Sequence, residues 1–350
     1  MKYNIWDLIR MGKEKNCSDL HIISGLSPKC RIDGEITSLD DTVLSAEDCS
    51  AYAEMLVGED YASVAEAGEW DGATEVDGTR CRINIFHQRN GISIAIRLLR
   101  NEIPKLEELA LPPVVSELPA LKTGIVLVTG VTGSGKSTTL AAILDTINHT
   151  RRAHILTLED PVEYVYTPDL CIINQREVGR DTESYASGLH TSLREDPDVI
   201  LIGEMRDLDT IRIALTAAET GHLVFATLHS GSAADAVDRI VDVFPEGEKR
   251  QVRIQLAASL QAVVSQKLLP KIAGGRVAAC EIMMATPAIR NLIREGKSAQ
   301  IASSILTSAA EGSITMDASL VKLAKERIIS AQVARENAAD VDFVKKHALF

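Results

Sequence analysis

A glycine-rich segment in the middle of the chain has the residue types and spacing of a phosphate-binding loop. Gly130–Ser137 reads G-V-T-G-S-G-K-S and fits the pattern G-x-x-x-x-G-K-[ST] at every fixed position. In such a loop successive backbone N–H groups face an anion, Lys136 reaches the β- and γ-phosphates, and the Ser137 hydroxyl contacts magnesium. We therefore expect ATP and Mg²⁺ as ligands. The expected nucleotide contacts are Gly130, Thr132, Gly133, Ser134, Gly135, Lys136, Ser137 and Thr138.

Two apolar runs end in carboxylates that could complete a hydrolytic site. Val199–Ile202 is followed by Gly203 and Glu204, which stands where phosphate-loop enzymes usually carry a metal-coordinating aspartate. Leu156–Leu158 is followed by three carboxylates close together, Glu159, Asp160 and Glu163. Ligands of open α/β sheets bind at the carboxyl ends of the strands. We therefore expect Glu204 to be a magnesium ligand and this acidic segment to lie near the nucleotide, although a solvated acidic loop is the alternative.

Two histidines bracket the next apolar run, Leu223–Leu228. His229 stands at its carboxyl end, so we expect it to sense the state of the nucleotide. His222 stands at the other end, and for it a structural role is equally compatible with the pattern.

Composition and charge exclude several classes of protein. The 350 residues carry a formal net charge of −12, whereas nucleic-acid binding proteins usually show a basic balance or stripe. The same charge disfavours unaided adhesion to anionic lipid, so membrane association is expected only through partners. No run approaches the ~18 apolar residues of a membrane span, and the N-terminus lacks a signal peptide. The six cysteines show no metal-ligand spacing. We expect a cytoplasmic protein with reduced, buried thiols.

The pattern of apolar and turn-forming residues changes at two places along the chain. Residues 1–100 indicate a small α+β domain, with a helix at Ile5–Lys13, a second at Ser45–Val57, short strands, a turn at Asp33–Gly34 and a hairpin of Arg80–Phe86 with Ile92–Leu98. Residues 101–123 contain four prolines and are the expected interdomain linker. From residue 124, buried strand-like runs alternate with helical stretches, which is typical of a parallel sheet. From Arg250 the pattern predicts helix almost to the end.

These segments, in this order, resemble the type II/IV secretion ATPase superfamily, the motors of type II secretion, type IV pili and type IV secretion. The matching signatures are a Walker A loop at 130–137, an Asp box at 155–164, a Walker B segment at 199–207 and a His box at 221–230. Ser18–His21 and Arg31–Gly34 resemble the superfamily's PAS-like N-terminal domain. The short N-terminal part, the missing four-cysteine insertion and Ala288–Ile293 resemble the type IV pilus retraction ATPases.

The resemblance implies a fold and a set of roles. The fold would be a PAS-like α+β N-terminal domain (1–100), a linker (101–123) and a RecA-like P-loop ATPase domain with a helical C-terminal region (124–350). Glu163 would be the catalytic base and Glu204 the Walker B carboxylate, while Arg82 and Arg97 would reach the phosphates. Arg194 and Arg206 fall in matching segments.

The resemblance also implies an assembly and a place of action. The family forms homohexamers that work with an inner-membrane pilus platform protein, on the cytoplasmic face of that membrane. Three functions stay open: a retraction motor, an accessory retraction, pilus assembly or type II secretion ATPase, and a nucleotide-regulated scaffold with little turnover.

The segment after Met284 predicts a capped amphipathic helix. Thr286 suits the N-cap and Pro287 the first helical position. Ile289, Leu292 and Ile293 share one face, so we expect Arg290, Asn291 and Arg294 to be exposed. On that basis, replacing Arg290 and Asn291 by alanine should cost little stability.

Overall fold

The computed structural model describes residues 3–32, 34–58, 61–62, 67–99 and 102–348. The predicted turn residue Asp33 lies outside these ranges. The chain divides into two compact units, Met1–Glu102 and Ile103–Phe350.

The first unit contains an antiparallel six-stranded sheet in the order β3-β2-β1-β6-β5-β4. Its elements are α1 (Ile5–Glu14), β1 (Asp19–Ile23), β2 (Lys29–Ile32), β3 (Glu35–Ser38), α2 (Ala46–Val57), β4 (Glu69–Val76), β5 (Thr79–Gln88) and β6 (Gly91–Leu98). The helix α1 buries Ile5, Leu8 and Ile9, which lie at i, i+3 and i+4, in the core of this unit. At the start of α2, Ser45 and Asp48 form a reciprocal capping box.

The second unit is built on a seven-stranded sheet in the order β13-β12-β7-β11-β10-β8-β9, in which only β13 is antiparallel to its neighbour. The strands are β7 (Gly124–Thr129), β8 (His154–Glu159), β9 (Ile172–Glu177), β10 (Val199–Ile202), β11 (Leu223–Leu228), β12 (Leu260–Pro270) and β13 (Arg276–Met284). The central strands β7, β10 and β11 are buried along their whole length, which explains their continuous apolar runs. The sequence predicted these strands and their parallel arrangement.

Helices cover both faces of this sheet and extend beyond its β13 edge. They are α3 (Lys136–Thr150), α4 (Tyr185–Ser192), α5 (Leu208–Glu219), α6 (Ala233–Asp242), α7 (Glu246–Ser259), α8 (Pro287–Glu295), α9 (Ile301–Thr307), α10 (Met316–Lys325), α11 (Ala331–Asn337) and α12 (Val341–His347). The last three pack with Leu269, Val277 and Ala279 of the hairpin β12–β13 into a separate small core. No helix among the described residues is both long and apolar enough to cross a membrane.

The continuous helical pattern predicted from Arg250 was wrong for residues 260–284. This segment forms β12 and β13, which extend the sheet beyond β7. β12 is buried at Ala262–Gln266 because it lies between β7 and β13, so its apolar residues show no alternation. A short apolar run without alternation does not distinguish a buried strand from a buried helix.

The proline-rich segment 101–123 folds differently from a free linker. Leu106–Leu109 and Pro113–Ala120 are short 3₁₀ helices, and Leu106, Val115 and Leu118 share a hydrophobic core with residues of α3. From Ile103 onward this segment therefore belongs to the second unit.

Candidate nucleotide hydrolysis site

The loop Gly130–Ser137 joins β7 to α3 in a conformation that suits an anion. Gly130 has φ 146°, and a Cβ there would lie 2.4 Å from the Gln266 carbonyl oxygen, so a larger residue would push β7 and β12 apart. Gly135 precedes α3 with φ 92°, and no side chain caps this helix N-terminus. The buried Ser134 hydroxyl has no hydrogen-bond partner in the described part of the chain. Exposed helix-start N–H groups and an unpartnered buried hydroxyl fit a phosphate ligand.

Lys136 supplies the positive charge of the loop. It is 9% exposed, and its Nζ donates to the carbonyl oxygens of Gly130 at 2.8 Å and Val131 at 3.1 Å. Burial lowers the pKa of Lys136, and the carboxylates of Glu204 and Glu163 partly oppose this. The three charged groups follow the carboxyl ends of β7, β10 and β8, which are parallel strands of one sheet, so they lie at the same edge.

Glu204 is held by the ends of two neighbouring strands. The Gly203 N–H donates to Leu158 O at 2.8 Å, and the Met205 N–H donates to Thr227 O at 3.0 Å. The Glu204 carboxylate contacts Arg206 Nη2 at 2.6 Å through one oxygen and His229 Nε2 at 3.2 Å through the other. Burial opposes ionisation, but Arg206 and His229 outweigh it and lower the pKa of Glu204. Glu204 is thus a carboxylate whose two oxygens are held by Arg206 and His229.

Glu159 and Glu163 of the acidic segment lie in different environments, one buried and one exposed. Glu159 is 9% exposed, accepts bonds from Thr157 Oγ1 at 2.7 Å and Gln175 Nε2 at 3.3 Å, and also accepts the backbone N–H of Glu163. Burial raises the pKa of Glu159. The Glu163 side chain is exposed, and no hydrogen bond to another described residue engages its carboxylate. Glu159 therefore fixes the backbone that presents Glu163.

The two histidines lie at opposite ends of β11. His229 contacts Glu204 as described, whereas His222 Nδ1 lies 3.0 Å from the Ala217 carbonyl oxygen, at the amino end of the strand. His222 therefore serves the turn between α5 and β11, away from the loop. Arg194 likewise bonds locally, to the carbonyl oxygen of His190.

The remaining loop residues have distinct environments. Thr132 is exposed in the loop. Ser137 lies half-buried in the first turn of α3, and the Thr138 hydroxyl lies 2.9 Å from the Tyr164 hydroxyl. No group of three or more metal-binding side chains occurs among the residues with described positions. Magnesium commonly uses one or two protein ligands together with phosphates, so Ser137 and Glu204 fit that ion.

A cavity of about 360 Å³ adjoins the loop on the side of β12. It is lined by Gly130–Ser134, by Gln266–Leu269 of β12 and by Asn337 of α11. Lys267 Nζ donates to the Asn337 carbonyl oxygen at 2.9 Å, which ties α11 to this wall. The volume lies in the range of small-molecule sites.

Arg82 and Arg97 lie side by side on adjacent strands of the first unit's sheet. They are direct partners on the antiparallel strands β5 and β6, and both are exposed. Arg97 Nε contacts Asp19 Oδ1 at 2.9 Å, whereas Arg82 makes no ion pair with any described residue. Like charges directly opposite each other destabilise a sheet, and here only Arg97 has a carboxylate partner among the described residues.

Sequence reasoning missed the residues that hold the site's loops. Thr129 Oγ1 donates to Ser230 O at 2.8 Å and accepts the Ser230 N–H at 2.9 Å, which joins the end of β7 to the loop after β11. Gln175 Nε2 donates to Tyr164 O at 2.7 Å and steadies the acidic segment. The only available signal for Thr129 was its place as the last strand residue before the glycine-rich loop.

Comparison with known proteins places this site in a family. Residues 74–275 match the family of type II/IV secretion system proteins. The chain is 48% identical to the type IV pilus retraction ATPase PilT of Pseudomonas aeruginosa, over 96% of this chain and 98% of that protein. It is 45% identical to a twitching motility protein of Neisseria gonorrhoeae, over 96% of this chain and 91% of that protein.

A solved structure agrees over the whole length. The crystal structure of the pilus retraction motor PilT with bound ADP matches with a TM-score of 0.91 and 46% identity, covering 98% of this chain and 99% of that one. The chain therefore belongs to the type II/IV secretion system protein family, on the branch that contains the pilus retraction ATPase PilT.

Proposed function

We propose that this chain is an ATPase that couples hydrolysis to the retraction of a type IV pilus. The observation that carries the proposal is the convergence of Lys136, Glu163 and Glu204 at the carboxyl edge of one parallel sheet. These are the charges that phosphoryl transfer to water needs: a cation for the phosphates, a metal ligand and a base. The match to retraction ATPases along nearly the whole chain supplies the link to the pilus.

The chain's own residues divide the chemistry among them. The loop N–H groups and Lys136 bind the phosphates, and Ser137 with Glu204 would hold Mg²⁺, which would neutralise charge developing on the γ-phosphate. Glu163 accepts the proton of the attacking water, since its exposed carboxylate is unencumbered. His229 contacts the oxygen of Glu204 that is not bonded to Arg206, so a change at Glu204 on nucleotide binding reaches the loop after β11.

Arg82 and Arg97 extend the proposal to the first unit. A guanidinium matches the spread charge of a phosphate, and two of them side by side form an anion-binding pair. The free Arg82 and the cross-strand repulsion described above support a role for this pair at the phosphates of ATP.

We further propose that six copies form a ring at the cytoplasmic face of the inner membrane. There the ring would act on the pilus platform protein, which would provide its only attachment to the membrane. The net charge of −12 supports attachment through a protein rather than through anionic lipid. An accessory retraction motor or an assembly ATPase would share the site, whereas a nucleotide-binding scaffold would lack turnover.

Replacing Lys136 tests the enzymatic part of the proposal. Lys136→Ala removes the buried cation of the loop, so phosphate release should fall about 100-fold or more and nucleotide binding should weaken. The matched control is Lys122→Ala, which changes an exposed lysine shortly before β7 and should keep wild-type turnover. Normal phosphate release from Lys136→Ala, or no release from the wild-type chain, would sink the proposal.

A further inference from the structure

One half-buried carboxylate, that of Glu281 on β13, lies at the starts of two helices. The N–H of Ala233, the first residue of α6, donates to Glu281 Oε1 at 2.8 Å. The backbone N–H of Met316, the first residue of α10, lies close enough to this carboxylate to oppose the rise of its pKa. The N-cap side chains Ser232 and Thr315 each serve a different N–H, that of the third helical residue. Glu281 thus satisfies a donor that α6 cannot satisfy by itself.

The two helix starts make this an effective place for a negative charge. The N-terminal end of a helix carries partial positive charge, and here two such ends meet one carboxylate. Burial raises the pKa of Glu281, while the N–H groups of Ala233 and Met316 oppose that shift. A half-buried glutamate in an otherwise apolar strand needs such partners.

The helix α6 is the direct continuation of the loop His229–Ser232. Ser230 is bonded to Thr129, the Gly231 carbonyl oxygen accepts from Ser265 Oγ at 3.2 Å, and the His229 carbonyl oxygen accepts from Arg239 at 2.7 Å. Glu281 anchors the far end of the loop through Ala233. The position of His229, and hence its 3.2 Å contact with Glu204, depends on these anchors.

We propose that Glu281 is a positioning residue for hydrolysis, which holds His229 against Glu204 by fixing the start of α6 to β13. This inference rests on the proposed function, because the contact has consequences for turnover only if Glu204 serves catalysis.

Glu281→Gln is the informative change. Glutamine keeps the shape of glutamate but has one acceptor oxygen, and its NH₂ group would face one of the two N–H groups. We expect kcat for phosphate release to fall about 10-fold, with KM for ATP unchanged. Losses of this size are typical when a residue that orients a metal-binding side chain is replaced.

Asp317→Asn is the matched control. The Asp317 carboxylate also accepts two backbone N–H groups, those of Ala339 at 2.8 Å and Asp340 at 2.9 Å. It lies in the same helix α10 but ties it to the segment before α12 rather than to the His229 loop. The change should therefore leave kcat close to the wild-type value.

A double-mutant cycle with His229→Ala completes the test. Because both residues act through one contact, Glu281→Gln should cause no further loss in the His229→Ala background. An equal fall in kcat in both backgrounds, an equal fall in Asp317→Asn, or wild-type kcat in Glu281→Gln would each overturn the inference. Wild-type kcat in His229→Ala would instead overturn the role proposed for His229, so the two failures are distinguishable.

Discussion

Three glutamates of one site differ in chemistry because their surroundings differ. Glu159 is buried, and burial raises its pKa, while the hydrogen bonds that it accepts from Thr157 and Gln175 oppose that shift. Glu204 is paired with Arg206 and His229, which keep it ionised. Glu163 is exposed and unengaged, which leaves it available to accept a proton from water. Environment rather than residue type therefore favours Glu163 as the candidate base.

Changing Glu163 to glutamine should stop turnover without preventing nucleotide binding. The amide cannot take a proton, and loss of a general base typically costs about 10²–10⁴-fold in rate. Glu117→Gln makes the same isosteric change on an exposed segment outside the site and should leave the rate unchanged. The measurement pairs steady-state phosphate release with equilibrium binding of a labelled nucleotide. A wild-type rate for Glu163→Gln would mean that another group is the base.

At the scale of single residues, the sequence predicted the residues that belong to a motif. It missed the residues that fix the motif's loops by hydrogen bonds. The loop Gly130–Ser137 is recognisable because its function requires residue types at fixed spacing. The partners Thr129 and Ser230 are 101 residues apart, and Ala233 and Glu281 are 48 apart. Such contacts depend on strand order, which a single sequence does not specify. The roles of Glu163, Glu204, Arg82, Arg97 and His229 stay predictions until variants are measured.

At the scale of helices and strands, sequence signals predicted correctly the features that depend on interactions within one turn. Ser45 and Thr286 start their helices as predicted, since a cap acts within one turn. The strand β12 was predicted as helix because continuous burial at Ala262–Gln266 removes the alternation that reveals a strand, and β13 was included in the same helical prediction. The same misinterpretation hid Glu281, whose charge would have been conspicuous in a recognised strand.

Arg290 on α8 corrects a further expectation. It was expected to be exposed, but its guanidinium donates to the carbonyl oxygens of Ala257 at 2.7 Å and Ala258 at 2.9 Å, and to Ala285 O at 2.8 Å. The first two belong to the C-terminal turn of α7, where a cation completes unsatisfied carbonyl groups. The side chain points backward along the surface, so helical periodicity alone misjudged its burial. Asn291 and Arg294 of the same helix are exposed, as expected.

Arg290→Ala should destabilise the second unit by about 2 kcal/mol, because it removes charged hydrogen bonds to carbonyl groups that are mostly part-buried. Thermal unfolding should show a midpoint lower by about 4–8 °C. Asn291→Ala with Arg294→Ala removes two exposed side chains of the same helix and should shift the midpoint only slightly. An unchanged midpoint for Arg290→Ala would contradict the anchoring that the structure shows.

At the scale of the whole molecule, the chain combines a small sheet unit with a nucleotide-binding unit. The sequence predicted a boundary near residue 100, and the compact units divide after Glu102. The proline-rich segment that follows is fixed to α3 by Leu106, Val115 and Leu118, so any hinge is shorter than residues 101–123. Prolines marked a change in secondary structure there, but burial of the intervening apolar residues decided where the segment packs.

The central claim, that this ATPase retracts pili, is tested most directly by watching labelled pili on living cells. The measurement is the fraction of extended pili that retract in a strain lacking the gene and in the same strain complemented with the wild-type or the Lys136→Ala chain at equal abundance. The account predicts that retraction is lost in the deletion strain, is restored by the wild-type chain and is not restored by Lys136→Ala. Undiminished retraction in the deletion strain, or full restoration by Lys136→Ala, would contradict it.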